Sequence, residues 1–236
     1  MSRRFPVVAI DGPAGAGKST VTRGVARALS FLVLDTGAIY RSVALLARRA
    51  QLDWSDATAI AELAGDLARR SAIEFRPGGD GGQSVWVNGE DVSVAIRTQE
   101  MSEGASRVSS IPEVRAALLD LQRAVGRAGG VVVEGRDIGS VVFPDAEAKF
   151  FLTASVAVRA QRRFDELIGR GAVTELAMVA REVEERDERD RNRAIAPLIQ
   201  APDAILVDSS EMTVDEAIDC IVRRVRTITG RMQEKN

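Results

Sequence analysis

The sequence predicts an α/β protein whose parallel, mostly five-stranded sheet is covered by helices on both faces. Five short apolar runs have the length of strands, and they alternate with segments in which apolar residues recur three and four positions apart. Runs that are apolar throughout and rich in β-branched residues are typical of parallel strands buried on both faces. The runs are residues 7–10, 31–34, 131–134, 148–153 and 204–208.

One stretch of the chain departs from this alternation. Residues 71–93 contain short runs of alternating polar and apolar residues, a glycine cluster at 78–82 and the dipeptide Asn88-Gly89. The pattern predicts small antiparallel strands joined by a loose loop and by a tight turn. Because helical segments lie on either side, at 56–69 and about 98–110, we expect an antiparallel insertion in the α/β core.

Two later helices begin at recognisable start signals. Pro112 stands where a first-turn proline is favoured, directly before the amphipathic segment 113–125. Thr213 and Glu216 have the spacing of a capping box at the start of the last helical segment. Both signals predict helices after the insertion, as the alternating α/β pattern requires.

Composition excludes several classes of protein. The 236 residues suit one compact domain with insertions, and 45% hydrophobic with 28% charged residues is ordinary for a globular protein. The net charge of −2 argues against a bulk nucleic-acid binder. We expect neither a signal peptide nor a membrane anchor, since no apolar run could span a bilayer and the N-terminal apolar stretch is only strand-length, without a small-residue cleavage site. A single cysteine, Cys220, excludes a disulfide framework and favours a cytoplasmic location. The lack of histidine excludes catalytic triads that use histidine and metal sites that have histidine ligands.

The glycine-rich stretch after the first apolar run predicts a phosphate-binding loop. It matches G-x-x-x-x-G-K-[ST] between a strand and a helical segment, which is the context that this motif needs. Backbone N–H groups of such a loop turn inward around a β-phosphate, while its lysine reaches the β/γ oxygens and its serine binds Mg²⁺. We therefore expect a bound nucleoside triphosphate with Mg²⁺, and Ser19 as the metal ligand. The residues are Gly12, Pro13, Ala14, Gly15, Ala16, Gly17, Lys18, Ser19 and Thr20.

Arginines at the ends of predicted strands indicate a second anion site. Arg41 follows the second strand by one helical turn, and Arg136 lies directly after the third. Carboxyl ends of parallel strands meet at one edge of a sheet, where ligands gather. Arginine forks bind a phosphate monoester bidentately, and an ionised phosphate acceptor needs no general base. The chain also lacks the guanine-reading N-K-x-D. These observations favour phosphoryl transfer to a phosphate-bearing acceptor.

In these motifs and nearly from end to end, the chain resembles the bacterial cytidylate (CMP) kinases of the nucleoside monophosphate kinase group. The resemblance depends on IDGPAGAGKST, LDTGAIYR, GEDVSVAIRTQE, EGRDIGSVVFPDA and ERDERDRNRAIAPL. It implies an adenylate-kinase-like core, a monophosphate-binding domain enlarged by the insertion, and a short lid. It implies ATP and CMP or dCMP as substrates. The implied divisions are a core at 1–39, 105–155 and 195–236, a monophosphate domain at 40–104, and a lid with flanking helices at 156–194.

The resemblance also implies roles for individual residues. Arg41, Arg136 and Arg193 would hold the acceptor phosphate, with Lys18 as the fourth catalytic residue. Ser106, Arg115 and Asp137 would read the cytosine, because a carboxylate can accept from its amine while the other two donate to O2 and N3. A further group would complete the substrate site: Asp190 and Arg186 at the sugar and Thr36 near the acceptor.

The donor side carries two further expectations. Arg159, Arg162 and Arg163 lie on a predicted helix in the region of the family's lid arginines, and we expect Arg159 and Arg162 to bind ATP. Glu134 stands where the family pattern leads us to expect aspartate before Gly-Arg-Asp, so it either meets Mg²⁺ through water or orders the arginines.

Three other functions stay open at the level of sequence. A P-loop kinase for UMP, AMP or a small acceptor would use the same loop with a different acceptor pocket. A nucleotide-dependent switch would lack an acceptor, which the strand-end arginines argue against. A nucleic-acid binder would use the arginine-rich segment 181–193, but interleaved acids nearly cancel its charge and stacking aromatics are few. We expect no nucleic-acid or membrane partner, and a monomer.

Overall fold

The computed structural model describes residues 3–78 and 83–233. Most of the predicted glycine loop, residues 79–82, therefore lies outside the described residues. The chain divides into two compact units: unit 1 comprises residues up to 32 and from 128 onward, and unit 2 comprises residues 33–127. The domain boundaries implied by the family resemblance stay a prediction.

Strands and helices alternate along the chain as the apolar pattern predicts. The strands are β1 (Val7–Asp11), β2 (Leu32–Asp35), β3 (Ile73–Pro77), β4 (Gln83–Val87), β5 (Glu90–Asp91), β6 (Val131–Gly135), β7 (Ala148–Thr153) and β8 (Ile205–Asp208). The helices are α1 (Lys18–Leu29), α2 (Thr36–Arg49), α3 (Ala57–Arg69), α4 (Gln99–Val108), α5 (Pro112–Gly126), α6 (Val156–Gly169), α7 (Leu176–Asn192) and α8 (Val214–Gln233).

The main sheet has the strand order β2-β6-β1-β7-β8. Strand β1 pairs in parallel with β6 and with β7, and β7 pairs in parallel with β8. Every residue of β1 and β6 is buried, because helices cover both faces of the sheet centre. This confirms the predicted α/β class and the five-stranded parallel sheet, and it brings the ends of β1 and β6 side by side.

Close backbone packing fixes the chain where it leaves β1. A side chain at Gly12 would place its Cβ 1.9 Å from the carbonyl oxygen of Leu152, and the φ of Gly12 is +151°. Only glycine fits there, so the loop begins directly against β7. On one side of the sheet α1 packs against α8, where a Cβ at Gly24 would lie 2.2 Å from Cδ1 of Ile218.

The last helix begins as its sequence predicts. The Thr213 N–H and hydroxyl both donate to the Glu216 carboxylate, at 2.8 and 2.9 Å. In return the Glu216 N–H donates to the Thr213 hydroxyl at 3.2 Å. This reciprocal arrangement confirms the capping box.

Unit 2 has its own apolar core. Helices α2, α3, α4 and α5 pack around buried residues that include Ile39, Val43, Ile60, Ile96 and Leu118. The antiparallel sheet β3-β4-β5 adds Ile73, Val85 and Val87 to the same cluster. This confirms the predicted insertion.

The turn between β4 and β5 also matches its sequence. Val87 pairs with Glu90, so Asn88 and Gly89 form a two-residue turn. Their φ angles are +51° and +81°, as a type I′ hairpin turn requires. Among the helices of the described residues, none is long and apolar enough to cross a membrane.

Candidate active site

The glycine-rich loop of unit 1 has the backbone of an anion-binding loop. It joins β1 to α1, and Gly15 and Gly17 have φ angles of +74° and +83°. These are left-handed conformations that side chains disfavour, which explains the glycines. Gly17 is the residue before α1, so the N–H groups of the first helical turn face the same anion. The loop can bind a phosphate group.

Lys18 lies folded against this loop. Its Nζ donates to the carbonyl oxygens of Gly12 at 2.7 Å and Pro13 at 2.6 Å, and the residue is buried. Burial lowers the pKa of Lys18 well below its ordinary value, and the positive charge of Arg136 lowers it further. An anion bound in the loop would offset both effects by supplying negative charge to this ammonium group.

Ser19 and Glu134 provide two oxygen atoms that fit a magnesium ion. The Ser19 hydroxyl donates to Oε2 of Glu134 at 2.9 Å, and Glu134 is buried on β6. Mg²⁺ is held in nucleotide enzymes by one or two protein oxygens, water and the substrate phosphates. A hydroxyl beside one carboxylate therefore fits an ion that arrives with a nucleotide.

Asp11 is a buried carboxylate that the sequence analysis missed. Its two oxygens accept the backbone N–H groups of Ile138 and Gly139, both at 2.8 Å. Burial raises the pKa of Asp11 to about 6, although those two hydrogen bonds act in the opposite direction. The carboxylate fixes the chain immediately after Arg136 and Asp137. Its position at the end of β1, next to the glycine loop, is the signal that could have found it.

Two ion pairs connect the end of β6 with the end of α7. Nε of Arg136 donates to Asp190 at 2.7 Å, and Nη2 of Arg193 donates to Asp137 at 3.2 Å. Arg193 also donates to the carbonyl oxygen of Ala196. Burial alone would raise the pKa of Asp190, but the charges of Arg136 and Arg186 outweigh it and lower that pKa. The structure thus brings five predicted substrate residues together in unit 1: Arg136, Asp137, Arg186, Asp190 and Arg193.

The other predicted substrate residues belong to unit 2. Asp35 begins α2 by accepting the N–H of Ala38 at 3.2 Å, and it pairs with Arg41 at 2.5 Å. Burial would raise the pKa of Asp35, but the Arg41 charge lowers it overall. Thr36, the first residue of α2, is buried beside them. The Asp35 carboxylate therefore orients the Arg41 guanidinium.

Ser106 and Arg115 lie on α4 and α5 of the same unit. Both side chains are buried. Within the described residues the Ser106 hydroxyl has no hydrogen-bond partner. The guanidinium carbon of Arg115 lies 5.6 Å from the ring centroid of Tyr40. An unpartnered buried hydroxyl is costly, and a bound ligand would satisfy it.

The family comparison decides which class of phosphate-binding protein this is. A family model described as cytidylate kinase matches residues 8–227. This chain belongs to the cytidylate kinase family. The predicted family is thereby confirmed, and the match includes the glycine loop, the insertion and α7.

Relatives of the family cover nearly the whole chain. A cytidylate kinase of Chromobacterium violaceum is 48% identical over 217 residues, which are 92% of this chain and 94% of that protein. A bifunctional pantoate ligase/cytidylate kinase of Synechococcus sp. is 46% identical over 228 residues, which are 97% of this chain. This chain spans 42% of that bifunctional protein.

A solved structure with a similar fold is an uncharacterized protein from Eubacterium ventriosum. It has a TM-score of 0.53 at 12% identity, and the match covers 94% of this chain and 98% of the other. At that identity the likeness concerns the fold alone.

Helix α6 carries the two arginines that this cytidylate kinase family member was predicted to use for ATP. Arg162 donates to the hydroxyl and carbonyl oxygens of Ser209, at 3.1 and 2.7 Å. Arg159 is 2% exposed and pairs with Asp187 at 2.7 Å. In the structure both guanidinium groups bind protein atoms, and their contact with ATP stays a prediction.

Asp187 is a second buried acid that the sequence analysis missed. It is 2% exposed, although it lies in the most charged segment of the chain. A signal was present in the helical spacing. Val179, Val183, Asp187 and Asp190 follow one another at i, i+4, i+8 and i+11, and they form the buried face of α7.

Proposed function

We propose that this chain transfers the γ-phosphoryl group of ATP to CMP, and also to dCMP, by direct in-line transfer. The observation that carries the proposal lies in unit 1 of a cytidylate kinase family member. There an anion-binding loop stands at the end of β1, and two arginines held by aspartates stand at the end of the neighbouring strand and of α7. The loop suits a donor phosphate, and the arginines suit an acceptor phosphate.

The donor residues are those of the glycine loop. The N–H groups of residues 12–20, except Pro13, which has none, would surround the β-phosphate, and Lys18 would transfer its hydrogen bonds from the loop carbonyls to phosphate oxygens. Ser19 and Glu134 would hold Mg²⁺. When bound, that ion neutralises charge on the donor phosphates during transfer. Arg162 is proposed as a further donor contact.

The acceptor phosphate is proposed to bind Arg41, Arg136 and Arg193. Arginine forks complement a phosphate dianion geometrically, and aspartates already orient these three or share their charge. No general base is needed, since the attacking oxygen of CMP is ionised near pH 7. Alignment and neutralisation therefore supply the catalysis.

Recognition of the nucleoside is proposed to depend on separate residues. Asp137 would accept from the cytosine amine, while Ser106 and Arg115 donate to the ring. Asp190 and Arg186 would bind the sugar, and Thr36 would lie near the acceptor. The unpartnered hydroxyl of Ser106 supports this proposal, because a buried hydroxyl gains most from a ligand that completes its hydrogen bonds.

Product analysis tests the reaction. Phosphorus NMR of ATP, Mg²⁺ and CMP incubated with the protein should show equal amounts of ADP and CDP. Release of inorganic phosphate without CDP would contradict the proposal. Asp137→Ala should weaken use of CMP far more than binding of ATP, and equal loss of both would refute the assignment of the base-reading residues.

We also propose a cytoplasmic location and a monomeric state. The nucleotide substrates and the single cysteine favour the cytoplasm. The monomer stays a prediction, which sedimentation at micromolar concentration would test.

A further inference from the structure

Arg159 is the largest fully buried side chain of the described residues, and all of its nitrogen atoms have partners. Nε donates to the carbonyl oxygen of Ala154 at 2.9 Å. Nη1 donates to the carbonyl oxygen of Ala14 at 2.9 Å. Nη2 pairs with Oδ2 of Asp187 at 2.7 Å. A guanidinium so placed is part of the architecture around the glycine loop.

The hydrogen bond from Arg159 to the Ala14 carbonyl oxygen determines the orientation of the Ala14–Gly15 peptide. The described residues contain no cis peptide bond, so the Ala14 carbonyl and the Gly15 N–H point in opposite directions. Because Arg159 holds the carbonyl, the Gly15 N–H points away from Arg159. A Cβ at Gly15 would lie 2.9 Å from the Arg159 carbonyl oxygen and 3.1 Å from its Cβ. The loop and Arg159 thus pack directly against each other.

Asp187 makes this arrangement possible. Its carboxylate is 2% exposed, and it lies 2.7 Å from Arg159 and 3.7 Å from Arg191. A buried guanidinium requires a counter-charge, and removing one member of such a pair leaves the other without compensation. Asp187 belongs to α7 and Arg159 to α6, so the pair connects both helices to the loop.

We propose that Arg159 and Asp187 form a positioning pair that holds the Ala14–Gly15 peptide with its N–H directed at the donor phosphate. In this proposal Arg159 acts through the loop peptide, in place of the direct contact with ATP that the sequence predicts, and the oriented N–H group stabilises the β-phosphate of the nucleotide. The proposal deepens the proposed function on the donor side, and it rests on that function only in taking a nucleotide as the anion.

Equilibrium binding of nucleotide in the absence of CMP tests the pair. The probes are ADP and the non-hydrolysable ATP analogue AMPPNP, measured by calorimetry. Arg159→Lys keeps the charge but loses the planar fork, and Asp187→Asn keeps the shape but loses the counter-charge. Because ADP and AMPPNP share the β-phosphate, we expect the Kd of both nucleotides to rise. The rise should be about tenfold in Arg159→Lys and smaller in Asp187→Asn.

Arg3→Lys is the matched control. Arg3 is another arginine of unit 1 held by acids and a carbonyl, but its partners are Asp145 and Glu147 at the amino end of β1. We expect it to lower thermal stability and leave both Kd values within about twofold of the wild type.

Two outcomes would overturn the positioning role. Weaker AMPPNP binding with unchanged ADP binding would assign Arg159 to direct contact with the γ-phosphate. Unchanged binding of both nucleotides by folded variants would show that the pair is only architectural. If Arg159→Lys does not fold, Asp187→Asn decides by the same comparison. Since CMP is absent, these results are independent of the acceptor that the enzyme uses.

Discussion

Arg136 and Asp190 are 54 residues apart in the chain, yet Nε of the arginine donates to Oδ2 of the aspartate at 2.7 Å. The residue after Arg136, Asp137, pairs in turn with Arg193, three residues after Asp190. Each arginine is therefore oriented by an acid from the other segment. A site of this kind keeps its guanidinium groups in position before an anion arrives, which reduces the cost of ordering them on binding.

Replacement of Asp190 by Asn tests that orientation. The amide still accepts a hydrogen bond but no longer balances the Arg136 charge, so we expect the KM for CMP to rise about tenfold, a loss of about 1.4 kcal/mol. The KM for ATP should change little. Asp203→Asn is the control, because it weakens the Lys149 ion pair at an exposed position. Steady-state kinetics that show equal rises in both KM values would contradict the selective role.

Replacement of Ser106 by Ala separates substrate binding from stability. The Ser106 hydroxyl has no partner within the described residues, so its removal should leave the free energy of unfolding within about 0.5 kcal/mol of the wild type. The KM for CMP should still rise about fivefold, as for a lost ligand hydrogen bond. Ser109→Ala is the matched control. Its hydroxyl donates to the Ser106 carbonyl oxygen, so we expect a stability cost of about 1 kcal/mol and little change in KM.

If Ser106→Ala costs stability without affecting CMP, the serine has only a structural role. Urea unfolding and kinetics on the same preparations distinguish the two cases.

Asp11→Asn tests the buried carboxylate through the pH dependence of stability. Burial raises the Asp11 pKa from 3.8 to about 6, so the folded protein binds more protons than the unfolded chain between those values. The contribution is present below the unfolded pKa and is lost as pH rises through about 6. The Asn variant has no such titration, and it should gain about 2 kcal/mol relative to the wild type between pH 4 and pH 7.

Urea unfolding of both proteins at several pH values measures this difference. The amide accepts only one of the two N–H bonds well, which adds an offset that does not depend on pH. A stability difference that stays constant with pH would contradict the account of Asp11.

Ser19→Ala tests the proposed magnesium site. Without the hydroxyl, the concentration of Mg²⁺ that gives half-maximal activity should rise about tenfold or more. Glu134→Gln should shift it in the same direction. Thr22→Ala is the control, because Thr22 lies one turn further along α1 and its buried hydroxyl has no partner among the described residues. Identical Mg²⁺ curves for Ser19→Ala and the wild type would remove Ser19 from the site.

Much of the fold was predictable because it depends on local patterns. The five apolar runs became the five strands of the main sheet, with ends that agree to within one residue. The Asn88-Gly89 turn and the Thr213 capping box are also local, and each depends on residues a few positions apart. In such cases the sequence already contains all of the interacting groups.

The candidate site was predictable only in part, for a physical reason. Arg159 and Asp187 are ordinary charged residues of amphipathic helices until the two helices pack, and only then does each become the other's counter-charge. Asp11 likewise acquires its role from N–H groups more than 100 residues away. Helical periodicity indicates which face is buried, but it does not indicate which charge will lie opposite.

ADP release from ATP and Mg²⁺, with CMP, dCMP, UMP, AMP and GMP added in turn, tests both the proposed phosphoryl transfer and its base specificity. The proposed function predicts strong stimulation by CMP and dCMP and little by AMP or GMP. Strong stimulation by AMP or GMP instead would support a kinase activity but contradict the assignment of the cytosine-reading residues. Stimulation by none of the five would contradict the proposed phosphoryl transfer itself.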